Sequence, residues 1–123
     1  MLSRRRAWSL TAAWALLIFV LSSIPGEALA PVQLFSGVDK VLHLGTYTVL
    51  AALAFSAVRQ TWALRSPSSV LAATALSVFY GITDEIHQRF VPGRSPDVLD
   101  LAADGAGALL GAAAAAWLLS RRP

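Results

Sequence analysis

A chain of 123 residues has room for one domain. With 56% hydrophobic residues, only 14% charged ones and a positive mean hydropathy, it falls in the membrane class and not the soluble one. The absence of cysteine excludes disulfides and thiolate metal sites, and the excess positive charge lies at the termini and in short loops beside apolar runs, where it reads as a topology signal and not as a nucleic-acid footprint.

Arg4, Arg5 and Arg6 precede an uncharged run from Ala7 to Ile24. At 1.5 Å per residue this run covers about 27 Å, enough to cross a bilayer core with its flanks. A basic start, an apolar run and the small residues of Ala28-Leu29-Ala30 also fit a signal peptide. The run exceeds the usual signal core of roughly 7–15 residues, so a retained first span is expected. Pro25-Gly26 stops this helix. Ser36-Gly37-Val38-Asp39 reads as the next helix start, with Ser36 as N-cap. In the apolar run that follows, Asp39, His43 and Tyr47 stand at i, i+4 and i+8 and share one stripe.

Arg59 to Ser69 is a polar loop with two arginines and no acid. The third apolar run, Val70 to Ile82, has 13 residues and covers about 20 Å, too little to cross. A spanning helix must therefore continue through Asp84, Glu85 and His87, which draws carboxylates into or below the polar boundary. Val91-Pro92-Gly93-Arg94 is a turn. Ser95-Pro96-Asp97 then reads as N-cap, helix-starting proline and first-turn acid. The last apolar run is also short, so Asp104 and Asp100 are drawn in at the same end as Asp84. Gly107 and Gly111 form a G-x-x-x-G pattern that permits close helix packing.

The expected fold is all-α: a single membrane domain over 1–123, built as a bundle of four transmembrane helices over roughly 7–24, 39–58, 69–88 and 97–119. Placing both termini and the Arg59–Ser69 loop on one side gathers seven arginines there without an acid; the other side holds all seven acids with Lys40, Arg89 and Arg94. The positive-inside rule makes the first side cytoplasmic, so both termini are cytoplasmic and the acidic site faces out of the cell.

Three helices thus aim Asp39, His43, Tyr47, Asp84, Glu85, Asp100 and Asp104 at one outward-opening pocket with Lys40 and Arg94 at its mouth, and Gln88 is a further candidate because Tyr80, Asp84 and either His87 or Gln88 share a face of the third helix. A structural reading is open for these residues: Asp84 or Asp104 paired with Arg94 or Lys40, and His43 and Tyr47 as hydrogen-bonded core groups. An oxygen-rich set of this kind can hold Mg²⁺ or Ca²⁺, but no spacing matches a defined metal motif, and neither metal nor cofactor is assigned.

Asp39-Lys40-Val41-Leu42-His43, Tyr47, the run Asp84-Glu85-Ile86-His87-Gln88-Arg89-Phe90-Val91-Pro92-Gly93-Arg94, Asp100 and Gly107 to Gly111 together resemble the VanZ-like family. These are small bacterial membrane proteins named for a member linked to teicoplanin resistance, and the pattern covers about 39–111. Asp104 stands where many members are expected to carry Asn. The resemblance implies a multi-pass protein of the bacterial cytoplasmic membrane in a cell-envelope setting. Two readings of function are open. One is a non-enzymatic protein, surrounded by the lipid bilayer, whose pocket binds an envelope lipid head group or a glycopeptide-related ligand. The other is a membrane-embedded enzyme acting on a lipid-linked phosphate or sugar, with Asp84 or Glu85 as base and Arg94 on the anionic group. No nucleic-acid partner is expected in either.

Overall fold

Long apolar runs in this composition become helices because the helix satisfies its backbone groups internally. The computed structural model describes residues 2–32 and 34–123. Its helices are α1 (Arg4–Ser22), α2 (Gly26–Leu29), α3 (Val38–Trp62), α4 (Ser66–Gln88) and α5 (Val98–Ser120); a 3₁₀ turn covers Ala30–Val32, and no strand occurs among the described residues.

Local chemistry sets the ends. Ser3 caps α1 by accepting from the Arg6 N–H. Pro25 then breaks the chain, which bends by 101° from α1 into the Gly26–Val32 segment. At α3 the cap is Gly37, not Ser36: its φ of +87° turns the chain in the left-handed region, where glycine costs little. α3 continues past residue 58 because Arg59 and Gln60 are good helix formers, and the Thr61 hydroxyl is satisfied by Ala57 O. Arg59 also donates to Leu64 O and Ser66 Oγ and ties α3 to the start of α4. α4 begins at Ser66, ahead of the expected residue 69, with Pro67 in its first turn where the missing N–H is harmless. α5 is capped by Asp97, whose carboxylate accepts from Leu99 N at 2.8 Å, so the start falls two residues beyond the expected Ser95.

α3 is the central helix. It packs against α1, α4 and α5, while α5 also packs against α4. By length and composition α3 and α5 can each cross a membrane; α1 with its bent continuation counts as a third if that broken pair forms one span. α4 is long enough, at 23 residues, but serines open it and carboxylates close it.

The closest approach is between α5 and α3. A Cβ built on Gly107 would lie 2.3 Å from Leu44 O, and one on Gly111 1.9 Å from Thr48 O. Backbone rests on backbone there, and the adjoining core is made of small side chains: Ala51, Ala54, Ala73, Ala108 and Ala112 around Phe55. A second cluster of Ile18, Tyr47 and Leu50 joins α1 to α3, with Trp14 and Tyr80 packed on it. Trp14 Nε1 donates to Thr46 O, and Tyr80 Oη donates to Ala15 O. The large apolar side chains of α1, α4 and α5, among them Leu16, Leu71, Phe79, Leu110 and Leu118, face outward.

Candidate functional site

The polar residues collect where the N-terminal ends of α3 and α5 meet the C-terminal end of α4. Helical spacing puts Asp39, Lys40, His43 and Tyr47 of α3 within reach of Asp100 and Asp104 of α5, one turn apart. α4 supplies Gly81, Asp84, Glu85 and Gln88 over two turns.

Lys40 clasps α3 to α5. Its Nζ lies 2.7 Å from Asp39 Oδ2, 2.9 Å from Asp97 Oδ2 and 2.8 Å from Asp100 Oδ1. The hydrogen bond from Lys40 holds the Asp97 carboxyl below the usual carboxylate range, helped by its cap to Leu99 N–H. Deeper in, His43 Nδ1 sits 2.7 Å from Asp104 Oδ1, and its Nε2 is 3.9 Å from Asp100 Oδ2. The His43 and Tyr47 rings lie nearly parallel, with centroids 6.4 Å apart. Tyr47 Oη donates to Asp84 Oδ2 at 3.2 Å. Glu85 Oε2 accepts from the Asp97 backbone N–H at 3.1 Å, tying the end of α4 to the cap of α5.

Gly81 makes the room for this arrangement. A Cβ there would lie 2.9 Å from Asp104 Oδ2 and 3.3 Å from Tyr47 Cε1. The only sequence signal for it was an isolated glycine inside a helical pattern.

A cavity of about 560 Å³ opens beside the cluster. One wall is apolar: Ile18, Leu21 and Ile24 from the end of α1, then Leu29 and Val32. The lining from α3, α4 and α5 is mostly polar, with His43, Thr46, Tyr47, Asp84, Gln88 and Asp100 beside Leu42, and Asp39 and Arg94 complete it. Of the ten expected pocket residues, Lys40, Glu85 and Asp104 are not in the lining. Glu85 and Asp104 are buried behind it, at 8% and 0% exposure.

Two glycine turns form the rim. Gly26 N–H donates to Pro92 O at 2.9 Å, and a Cβ on Gly26 would lie 2.0 Å from Gly93 O. Gly93 has a φ of +73°, so both positions demand glycine. This docking carries Arg94 to the segment just after α1, where Nη1 donates to Ile24 O at 3.4 Å. Arg94 makes no ion pair with Asp84 among the described residues, and Asp104 pairs with His43 and not with Lys40 or Arg94. His87 and Gln88 part company. Gln88 turns to the cavity, whereas His87 stacks on Phe19 and meets Ser23 Oγ at 3.0 Å.

Chemically, the site offers a surplus of anionic oxygen at its floor, one guanidinium at its rim and amide and phenol groups between. Gln88 Nε2 is buried without a hydrogen-bond partner among the described residues, a donor left open beside the cavity.

In comparison with known proteins, the family model described as VanZ/LLP1 matches residues 4–119. No curated protein and no solved structure matches the chain.

Proposed function

We propose that this chain, which belongs to the VanZ/LLP1 family, holds an amphiphilic component of the bacterial envelope in the cavity between α1 and the polar helix ends. The observation that carries this reading is the unlikeness of the cavity's two walls. An apolar wall of Ile18, Leu21, Ile24, Leu29 and Val32 faces a mostly polar one with His43, Tyr47, Asp84, Gln88 and Asp100. A ligand that satisfies both has a hydrocarbon part and a polar head, as an envelope lipid or a glycopeptide-related molecule has. Arg94 uses one N–H on Ile24 O, and a guanidinium has four more in a planar fork that suits phosphate or carboxylate.

The proposal includes the setting. All four long helices span the cytoplasmic membrane. Asp84 and Glu85 lie at the outer boundary, and the arginine-rich termini and α3–α4 loop are on the cytoplasmic side. The cavity then opens toward the extracytoplasmic leaflet, from which a lipid enters sideways.

The test is binding to purified full-length protein in lipid nanodiscs, with a short-chain anionic phospholipid as probe. Saturable binding near one molecule per chain is expected, weakened at least about tenfold by Arg94→Ala, the loss of a charge-assisted contact. Binding that never saturates, or that is indifferent to Arg94→Ala, overturns the reading.

A second reading, catalysis on a lipid-linked phosphate or sugar, draws on Asp84. It lines the cavity and accepts from Tyr47 Oη, whereas Glu85 is turned away to the Asp97 N–H. Turnover of such a substrate by the purified protein, lost in Asp84→Asn, decides for this reading.

A further inference from the structure

The floor of the site has more buried negative charge than its own partners neutralise. Asp84, Glu85, Asp100 and Asp104 are each at most 8% exposed. The ammonium beside them, Lys40, is shared among Asp39, Asp97 and Asp100. Buried carboxylates need a counter-charge, a proton or a metal. Three groups from three helices converge there: His43 of α3, Glu85 of α4 and Asp104 of α5 each present a ligand atom, all within 4.8 Å of one another. Two of the oxygens are also unspent. Glu85 Oε1 and Asp104 Oδ2 are buried and without a hydrogen-bond partner among the described residues. Orphaned carboxylate oxygens this deep are rare unless something binds them. Gly81, one helical turn before Glu85, puts no side chain of its own against Asp104 Oδ2.

We infer that His43, Glu85 and Asp104 form a binding site for one divalent transition-metal ion, with Zn²⁺ the best match and Mn²⁺ the next. The donor set decides the metal. One imidazole nitrogen with two carboxylate oxygens suits Zn²⁺, which takes nitrogen and oxygen ligands together; Mg²⁺ and Ca²⁺ prefer oxygen alone. Three protein ligands leave a further coordination position. One outer partner is in place, since the Asp97 N–H holds Glu85 Oε2; Asp100 Oδ2, 3.9 Å from His43 Nε2, is a neighbour beyond hydrogen-bond distance. The ion would neutralise the buried carboxylates and pin the ends of α3, α4 and α5 together. Glu85 and Asp104 lie behind the cavity lining while His43 belongs to it, so metal and lipid binding share one side chain and are measured separately.

The full-length, tag-free protein is stripped with EDTA in detergent, equilibrated separately with Zn²⁺, Mn²⁺, Mg²⁺ and Ca²⁺, desalted and analysed for metal. Wild-type protein is expected to retain one Zn²⁺ per chain and to melt at a higher temperature with it than without. Glu85→Gln and Asp104→Asn should each weaken Zn²⁺ binding at least about tenfold and abolish the thermal shift. Asp84→Asn, in the same cluster but outside the triad, should keep both. If Asp104→Asn does not fold, Glu85→Gln and the wild-type stoichiometry still decide. Folded wild-type protein that retains neither Zn²⁺ nor Mn²⁺ overturns the inference and leaves protons as the neutralising charge. Unchanged Zn²⁺ affinity in Glu85→Gln overturns it as well. Lipid binding measured on the same preparations with and without metal separates failure of this site from failure of the cavity reading.

Discussion

Replacing Gly111 with alanine should force α5 away from α3. The added Cβ would lie 1.9 Å from Thr48 O, 2.7 Å from its carbonyl carbon and 2.9 Å from its Cα. All three are backbone atoms, so no rotamer change relieves the contact. Restoring an ordinary separation of 3.4 Å from the oxygen requires roughly 1.5 Å of movement, the difference between 3.4 and 1.9. A gap of even 0.5–1 Å already forfeits about a quarter to a half of the dispersion attraction between facing atoms. The residues along this seam, Ala51, Ala54, Ala108 and Ala112, have only methyl groups with which to fill it. Overpacking costs about 1–3 kcal/mol, and the better helix propensity of alanine offsets about 1 kcal/mol of that. A net loss of up to about 2 kcal/mol is therefore expected, with Gly107→Ala similar because its Cβ meets Leu44 O at 2.3 Å. The same protein supplies the controls. A Cβ on Gly105 meets only Val78 Cγ2 at 3.8 Å, and one on Gly45 meets nothing within 4 Å. Both alanine variants should be neutral or slightly stabilised. Reversible unfolding in mixed detergent–SDS micelles, followed by circular dichroism, gives the four values. Equal stability of Gly111→Ala and Gly105→Ala would refute the backbone-contact argument.

Single cysteines at Ser68 and Ser95 should differ in labelling by an impermeant thiol reagent on intact cells, with position 95 reacting; preferential labelling at 68 inverts the proposed orientation. Arg94→Lys should keep membrane abundance and melting temperature while losing lipid binding, because lysine keeps the charge but not the planar fork; parallel loss of abundance and binding would instead mean that Arg94 serves only to tie its loop to Ile24 O. Lys40→Ala should destabilise the protein by leaving Asp100 buried without its ammonium, and the pH dependence of that loss is set in part by Asp97. Because the folded Asp97 carboxyl titrates below its ordinary 3.8, its share of the stabilisation is complete above that pH and drains away as the pH falls below it. A double-mutant cycle of Lys40→Ala with Asp97→Asn at neutral pH isolates that share, and strictly additive losses would remove Asp97 from the clasp.

What could be read from the sequence and what could not divide along a physical line. A helix of known rise must cross a slab of known thickness, and an apolar run of 13 residues cannot. If the third helix is to span, that arithmetic calls for its extension through Asp84 and Glu85; α4 does run to Gln88 with both carboxylates buried, though by length and composition it is not among the candidate spans. The helices themselves were legible for the same reason, from uncharged runs bounded by proline, glycine and charge. Their caps were less so. Ser95 and Asp97 are both good N-caps, and the choice falls to a contact 12 residues away, where Glu85 takes the Asp97 N–H. Charge pairing was harder still. An Asp84–Arg94 pair, one of the structural readings open from the sequence, needs the Pro92-Gly93 turn to fold back over its own helix. The turn docks instead on Gly26, far off in the chain, because two glycines allow backbone to meet backbone there, and Arg94 follows it to Ile24. Gly81 shows the limit most plainly: a lone glycine in a helix says that something comes close, and only the packed structure says that it is the Asp104 carboxylate. An excess of buried charge follows from counting residues and measuring lengths. How that excess is neutralised depends on which oxygen faces which nitrogen to within about an ångström, and no spacing along one chain encodes that.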